Sequence, residues 1–233
     1  MIKRKNTTDV NCKLNSQTPF HIAEAYKTIR TNLLFSLATQ KNNIVVFSSA
    51  MPGEGKSTTC SNLAIAMAQT EAKVLLIDAD LRKPTQYKIF KRNNSRGLST
   101  LLVGFDTFEK CLQKDISENL DLICSGPLPP NPSELLSSEN MRILLKKLQL
   151  EYDYIFIDTP PINIVTDAMT LAGKSAGIVL ISRSEQSTYD ELSKAVTSIE
   201  FAGSDILGII VTDLKHSTFK YGNYKYKEKY EYK

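Results

Sequence analysis

The sequence is short of the residues that build metal clusters and disulfide frameworks. It has four cysteines (Cys12, Cys60, Cys111 and Cys124), none in a CxxC pair, and two histidines, His21 and His216. A structural zinc site takes four closely spaced Cys or His ligands, so neither such a site nor a disulfide-stapled fold is expected. A reducing, cytoplasmic setting fits this usage. Long apolar runs are lacking too, and no stretch approaches the roughly 20 residues a membrane span needs. The basic opening Met1-Ile2-Lys3-Arg4-Lys5-Asn6 is not followed by an apolar segment and does not read as a secretory signal. Strong net charge is also absent. The balance is +4 over 233 residues, too mild to point to nucleic acid. Of that charge, +3 sits in the last fourteen residues, where five Lys face Glu228 and Glu231. No internal repeat is visible.

What is present is an ordinary globular composition, 42% apolar and 23% charged, with enough chain for one α/β domain. Residues 1–18 are polar and unpatterned and read as a flexible arm. From Phe20 to about Leu37, apolar residues at Ile22, Tyr26, Ile29, Leu33 and Leu37 follow the 3.6-residue period of an amphipathic helix. Its polar face carries Glu24, Lys27 and Arg30. Strands and helices then alternate. Strand-type runs occur at Ile44–Phe47, Val74–Ile77, Leu120–Ile123, Tyr154–Ile157, Gly177–Ser182 and Ile206–Val211. Helices are expected over Lys56–Gln69 and near Ser187–Ala202. A third is expected from Pro132 to about Leu150, with Asn131 as its N-cap. Strands apolar on both faces, alternating with helices, predict an α/β fold with a mostly parallel central sheet and helices on both faces. Ligands in such folds sit at the carboxyl ends of the strands.

Polar residues occur at those ends. Ala50-Met51-Pro52-Gly53-Glu54-Gly55-Lys56-Ser57-Thr58 matches the Walker A pattern G-x-x-x-x-G-K-[ST], with Ala for the first Gly. The bland alternative is a chance glycine-rich turn, but the strand before it and the helix after it are both as a P-loop requires. Residues Pro52, Gly53, Glu54, Gly55, Lys56, Ser57 and Thr58 are therefore candidates to cradle the phosphates of ATP. Lys56 would reach the β- and γ-phosphates, and the Ser57 hydroxyl would ligate Mg²⁺. Ile155-Phe156-Ile157-Asp158 is an apolar strand ending in an acid, the Walker B arrangement for holding Mg²⁺. In Ile77-Asp78-Ala79-Asp80-Leu81-Arg82-Lys83-Pro84, two carboxylates stand two residues apart at a strand end. Placing them there is costly unless a cation or a proton to abstract repays it. Asp78 is the candidate general base or positioner of the nucleophile, and Asp80 joins Ser57 and Asp158 as candidate metal ligands.

The end of the chain is different in kind. Five of the ten tyrosines (Tyr221, Tyr224, Tyr226, Tyr230 and Tyr232) lie within the last thirteen residues, spaced by Lys and Gly. Aromatics do not cluster this way to fill a core. Stacking on single-stranded nucleic acid is one use for interleaved Tyr and Lys. On an ATP-binding chain they read better as phosphoacceptors, each phosphate adding roughly −1.5 to −2 charge. Residues 215–233 are expected to form a flexible tyrosine-rich tail after a domain spanning 19–214.

Together these stretches resemble the bacterial tyrosine kinases of the Gram-positive capsule and exopolysaccharide type, a branch of the P-loop NTPase fold. The resemblance rests on Pro52-Gly53-Glu54-Gly55-Lys56-Ser57, the Asp78–Pro84 run, Ile157-Asp158-Thr159-Pro160-Pro161, Gly126-Pro127-Leu128-Pro129-Pro130-Asn131-Pro132-Ser133-Glu134-Leu135 and the tyrosine cluster. It implies autophosphorylation of the tail in trans, ring-like homo-oligomers when the tail is unphosphorylated, and dissociation once it is modified. It also implies a transmembrane activator that recruits the kinase to the inner face of the membrane, and a cognate tyrosine phosphatase. The family's ring contact, an E-x-x-R-x-x-R helix, falls on Glu24, Lys27 and Arg30 of helix 20–38, with Lys in the middle position. Thr212 stands where the resemblance leads one to expect Asn near the adenine. The rival reading is a ParA/MinD-like ATPase switch. Such switches usually carry an extra Lys near the start of the loop, where this sequence has Met51, and they lack a tyrosine tail.

Overall fold

The computed structural model describes residues 13–214. The elements run α1 (Phe20–Leu37), β1 (Ile44–Ser49), α2 (Lys56–Ala68), β2 (Val74–Asp78), α3 (Gln86–Ile89), α4 (Leu98–Leu102), α5 (Phe108–Cys111), β3 (Leu112–Ser117), β4 (Leu120–Ile123), α6 (Pro132–Ser137), α7 (Glu139–Leu148), β5 (Tyr154–Asp158), α8 (Asp167–Ala172), β6 (Gly177–Arg183), α9 (Tyr189–Phe201) and β7 (Ile206–Thr212). The strands form one sheet in the order β3-β4-β2-β5-β1-β6-β7, parallel except for β3 against β4. β1 sits inside the sheet with β5 on one side and β6 on the other. From β1 the chain crosses to β2 on one side, and from β5 it crosses back over β1 to β6. The carboxyl end of β1 is thus a switch point, where open α/β sheets bind ligands.

Strand parity divides the core into two layers. Ile44, Val46, Leu75, Ile77, Ile155, Ile157, Ile178 and Leu180 pack under Leu136, Met141, Leu145, Leu171 and Ile199 from the helices α6 to α9. The alternate residues Val45, Phe47, Val74, Leu76, Phe156, Val179 and Ile181 pack under α1 and α2, where Leu33, Leu63 and Met67 meet them. Phe47 and Phe156 pack in a tilted pair at the centre of this second layer, ring centroids 4.8 Å apart. Asp78 shares the parity of Val74 and Leu76, and Asp158 that of Phe156. Both carboxylates therefore rise on the face of the sheet covered by α2. Asp78 and Asp158 are also partners in the β2–β5 register, so they stand at one level.

The edge strand β3 and the short helices α3, α4, α5 and α8 had no counterpart in the sequence reading, and three further features differ from it. The single helix foreseen from Pro132 to Leu150 is two, broken at Ser138, whose backbone is extended (φ −59°, ψ 157°) and whose hydroxyl accepts the Met141 N–H at 3.3 Å to start α7. A serine cap offers the backbone a better partner than continuing the helix. Asn131 stands at the N-cap of α6, as expected, but its side chain makes no capping bond; its amide donates to Glu134 at 2.6 Å instead. Residues 13–18, read as part of a flexible arm, lie against α2: Leu14 is buried and its N–H donates to Asn62 Oδ1 at 2.8 Å. Residues 1–12 and 215–233, including Cys12, His216 and the five tail tyrosines, lie outside the described residues. Among the described residues no helix is long and apolar enough to cross a membrane.

Because Phe156 is fully buried and precedes Asp158 on its strand, its loss should leave a cavity directly beneath the site. Phe156→Ala is expected to destabilise the chain by about 3–5 kcal/mol, read from urea unfolding.

Candidate active site

The P-loop connects β1 to α2 and depends on two glycines. Gly53 and Gly55 have φ of +86° and +88°, a region that residues with a Cβ rarely adopt. Gly55 is also the N-cap of α2, and having no side chain it leaves the first helical N–H groups uncapped. An uncapped helix N-terminus offers donors and a positive dipole end to an anion. The loop's carbonyls are engaged from behind. Gln186 donates to Pro52 O at 3.1 Å, Arg183 to Gly53 O at 3.2 Å and the Thr212 hydroxyl to Glu54 O at 2.9 Å. Arg183 is itself anchored by Asp213 at 2.9 Å. The Glu54 carboxylate is fully buried, accepting the Met51 N–H at 2.8 Å and the Ser187 hydroxyl. Glu54 therefore braces the loop with its side chain and has only its backbone N–H to offer a phosphate. Thr212 likewise spends its hydroxyl on the loop rather than presenting it to a base.

Lys56 begins α2 and reaches across the mouth of the site. Its Nζ lies 2.9 Å from Asp80 Oδ2, 3.4 Å from Asp158 Oδ1 and 3.1 Å from Ser57 Oγ. Burial alone would lower its pKa, but the charges of Asp158 and Asp80 outweigh it and hold the ammonium above its ordinary value. Asp78 is fully buried and accepts three backbone N–H groups, from Asp80 at 3.2 Å, Thr85 at 3.1 Å and Gln86 at 3.0 Å. Burial, reinforced by the neighbouring Asp158 charge, pushes it up to about 8, against the pull of the Gln86 N–H and Lys56. Asp80 offers its second oxygen to the Lys83 N–H at 2.9 Å. The candidates Lys56, Ser57, Asp78, Asp80 and Asp158 thus converge on one place. Beneath them Cys60 is buried, and its thiol is held well above its ordinary pKa by burial and by Asp158, so it stays protonated.

Sequence reasoning missed several residues that hold this place together. Gln86 is fully buried and bonds Asp158 and Ser57; its only sequence signal is its position eight residues after Asp78. Arg82 makes a two-pronged pair with the buried Asp167, at 2.9 and 3.1 Å, while Ser133 donates to Asp167 at 2.6 Å and accepts from Arg82 at 3.0 Å. Ser133 belongs to the Gly126–Leu135 stretch, whose function the sequence left open. Its part is to tie α6 and α8 to the loop bearing Asp80. Gly126 in the same stretch has φ +78°, and a Cβ there would lie 2.5 Å from Ser99 Oγ. Ser187 and Thr188 were legible in principle, since Thr188 and Glu191 form a reciprocal capping box at the start of α9.

The α1 candidates are apart from this site. Glu24 and Lys27 pair on the surface at 2.7 Å. Arg30 turns inward and donates to Ala66 O at 2.7 Å, a carbonyl of the last turn of α2 with no helical partner.

A family model described as an AAA domain matches residues 42–204. The chain is 42% identical over 209 residues to the tyrosine-protein kinase YwqD of Bacillus subtilis strain 168, covering 89% of this chain and 88% of that one. It is 36% identical over 224 residues to the putative tyrosine-protein kinase CapB of Staphylococcus aureus, covering 95% and 98%. The chain belongs to the bacterial tyrosine kinases. Among solved structures, the chimerical protein CapA2B2 superposes on this kinase with a TM-score of 0.80 at 40% identity, over 84% of this chain and 86% of that one. The kinase is a nucleotide-binding P-loop protein with the α/β fold and mostly parallel sheet expected of it. The rival reading as a positioning ATPase is a distant relation: the cell division ATPase MinD of Pyrococcus furiosus is 24% identical with a TM-score of 0.62, over 73% of this chain and 71% of that one, which shows a shared fold alone.

Removing Arg82 leaves the buried Asp167 with Ser133 as its remaining side-chain partner. Arg82→Ala is expected to cost about 2–3 kcal/mol, toward the low end for a buried pair because the guanidinium is two-fifths exposed. In a double-mutant cycle with Asp167→Ala, the losses should be clearly less than additive. Additive losses would show that the pair is not coupled.

Proposed function

We propose that this tyrosine kinase transfers the γ-phosphoryl group of ATP, with Mg²⁺, to the tyrosines of its own C-terminal segment, in trans between subunits. The observation that carries the reading is Lys56, held 2.9 Å from Asp80 and 3.4 Å from Asp158 beside the uncapped start of α2. A cation already occupies the space between the carboxylates, and a helix terminus suited to phosphate adjoins it. The donors fit Mg²⁺ in kind. Ser57, Asp80 and Asp158 are hard oxygen ligands, and among the described residues no cluster of three or more His, Cys, Asp or Glu forms a ready-made cage. Magnesium is commonly held in this way, by one or two carboxylates and the nucleotide's own phosphates. When bound it supplies charge neutralisation on the phosphate oxygens.

The residues divide the remaining tasks. Gly53, Glu54, Gly55 and Thr58 contribute backbone N–H groups toward the phosphates, Pro52 shapes the turn before them without a donor of its own, and Lys56 moves from the carboxylates to the β- and γ-phosphates. Of the two roles open to Asp78, the geometry favours positioning. Its carboxylate is fully buried and carries three backbone donors, so it fixes the turn on which Asp80 stands. Asp80 lies closer to solvent, and beside Lys56 it faces the transfer site.

The acceptors are Tyr221, Tyr224, Tyr226, Tyr230 and Tyr232. The ring contact is carried by the half-buried Glu24 and the exposed Lys27 of α1, with Arg30 securing that helix to its own subunit. The activity serves capsular or extracellular polysaccharide synthesis. A transmembrane activator brings the kinase to the cytoplasmic face of the membrane, and a tyrosine phosphatase reverses the modification. Family membership supports these partners.

Incubation with ATP, Mg²⁺ and an activator fragment, followed by phosphosite mapping by mass spectrometry, should place phosphotyrosine within 221–232. Lys56→Met should lower incorporation by at least two orders of magnitude. A tail without phosphotyrosine, in wild type as in Lys56→Met, would sink the proposal.

A further inference from the structure

Gln86 opens the short helix α3 and is fully buried, yet the tasks above give it nothing to do. Its side chain touches two walls of the site at once. Nε2 donates to Asp158 Oδ2 at 2.8 Å and to the carbonyl of Ser57 at 3.2 Å. Oε1 lies 2.6 Å from the Ser61 hydroxyl, which is also 2.6 Å from the Ser57 carbonyl, so one proton is shared between two acceptors. The backbone N–H of Gln86 reaches the third wall, at Asp78 Oδ2.

The amide orientation follows from chemistry. An ionised Asp158 can only accept, so the NH₂ end must face it. With Oδ2 taken, Oδ1 is left toward Lys56 Nζ, and the carboxylate cannot rotate without losing a bond on each oxygen. A space-filling role would suit leucine equally well, and a polar role would suit glutamate in size. Leucine would leave Oδ2 and the Ser61 hydroxyl each short of a buried partner, and glutamate would add a fourth carboxylate to Asp78, Asp80 and Asp158. Only a neutral donor–acceptor satisfies both neighbours.

We propose that Gln86 is the positioning residue for the metal site, locking the rotation of the Asp158 carboxylate so that Oδ1 faces the phosphates. Groups that orient a ligating carboxylate in this way are worth about 10- to 100-fold in metal affinity. The proposal rests on Asp158 being a metal ligand, and the test separates the two ideas.

The measurement is binding of fluorescently labelled ADP to the full chain, first in EDTA and then across a MgCl₂ titration. Gln86→Leu should raise the Mg²⁺ concentration at half-maximal effect about tenfold while leaving the affinity in EDTA within about twofold of wild type. Gln86→Glu should shift the midpoint in the same direction. In turnover with saturating Mg²⁺, KM for ATP should recover toward wild type in Gln86→Leu while kcat stays lowered. An unshifted midpoint in Gln86→Leu, with Asp158→Asn shifted, overturns the role of Gln86 alone. An unshifted midpoint in Asp158→Asn overturns the metal assignment and this inference with it. An equal loss of affinity in EDTA and in Mg²⁺ marks a general disruption and also overturns it. Should Gln86→Leu fail to fold, Ser61→Ala, which removes the partner of Oε1, decides by the same criteria with an expected shift of about threefold.

Discussion

The structure depends on one ammonium group among three buried carboxylates. Asp78, Asp80 and Asp158 are at most 4% exposed, and Lys56 is the cation their geometry centres on. Carboxylates this close and this deep repel when charged and resist desolvation, which is why the pKa of Asp78 is raised. The parallel sheet forces the arrangement, because register sets Asp78 beside Asp158 on the α2 face. What makes it tolerable is Lys56, together with the backbone donors that saturate Asp78 and the amide that restrains Asp158. In the proposed mechanism Lys56 turns to a nucleotide's phosphates, which would leave the carboxylates in need of another cation. The same lysine would thereby couple phosphate binding to metal binding.

Around that centre the fold acts as a set of braces. Behind the P-loop, Arg183, Gln186, Ser187 and Thr212 hold its carbonyls and Glu54, so the two glycines keep a backbone that few residues would adopt. In front, the Arg82–Asp167–Ser133 cluster fastens the loop carrying Asp80 to α6 and α8. Beneath, Phe47 and Phe156 fill the layer on which both aspartates rise. Each brace comes from a different part of the chain, and the site sits where they meet. Catalysis of phosphoryl transfer is mostly positioning and charge stabilisation, and rigid supports of this kind supply the positioning.

Much of this was legible in the sequence. Long runs such as Val74-Leu75-Leu76-Ile77 and Tyr154-Ile155-Phe156-Ile157 showed their strands because both faces are buried, and α1 ran from Phe20 to Leu37 as its periodicity required. The P-loop and strand-end acids were legible because the chemistry demands particular residues at fixed spacing. What stayed hidden was set by tertiary partners. β3 (Leu112–Ser117) is an edge strand with an irregular register, so no apolar alternation marks it. The break at Ser138 interrupts a helical pattern that continues on both sides. Gln86 and Arg183 look like surface polar residues until folding brings Asp158 and Gly53 to them. Arg30 was grouped with the polar face of its helix, yet it stands at i+4 from Tyr26 and i−3 from Leu33, at the border of the packed stripe, and reaches the end of α2.

The central claim is that Lys56 neutralises the carboxylates in the nucleotide-free chain and that a metal can take its place. The most direct test is the unfolding free energy of Lys56→Met in EDTA and in millimolar Mg²⁺, without nucleotide. The account predicts a loss of about 3–5 kcal/mol in EDTA relative to wild type, part of which Mg²⁺ restores. Wild-type stability in the variant, or a loss that Mg²⁺ leaves untouched, would contradict it.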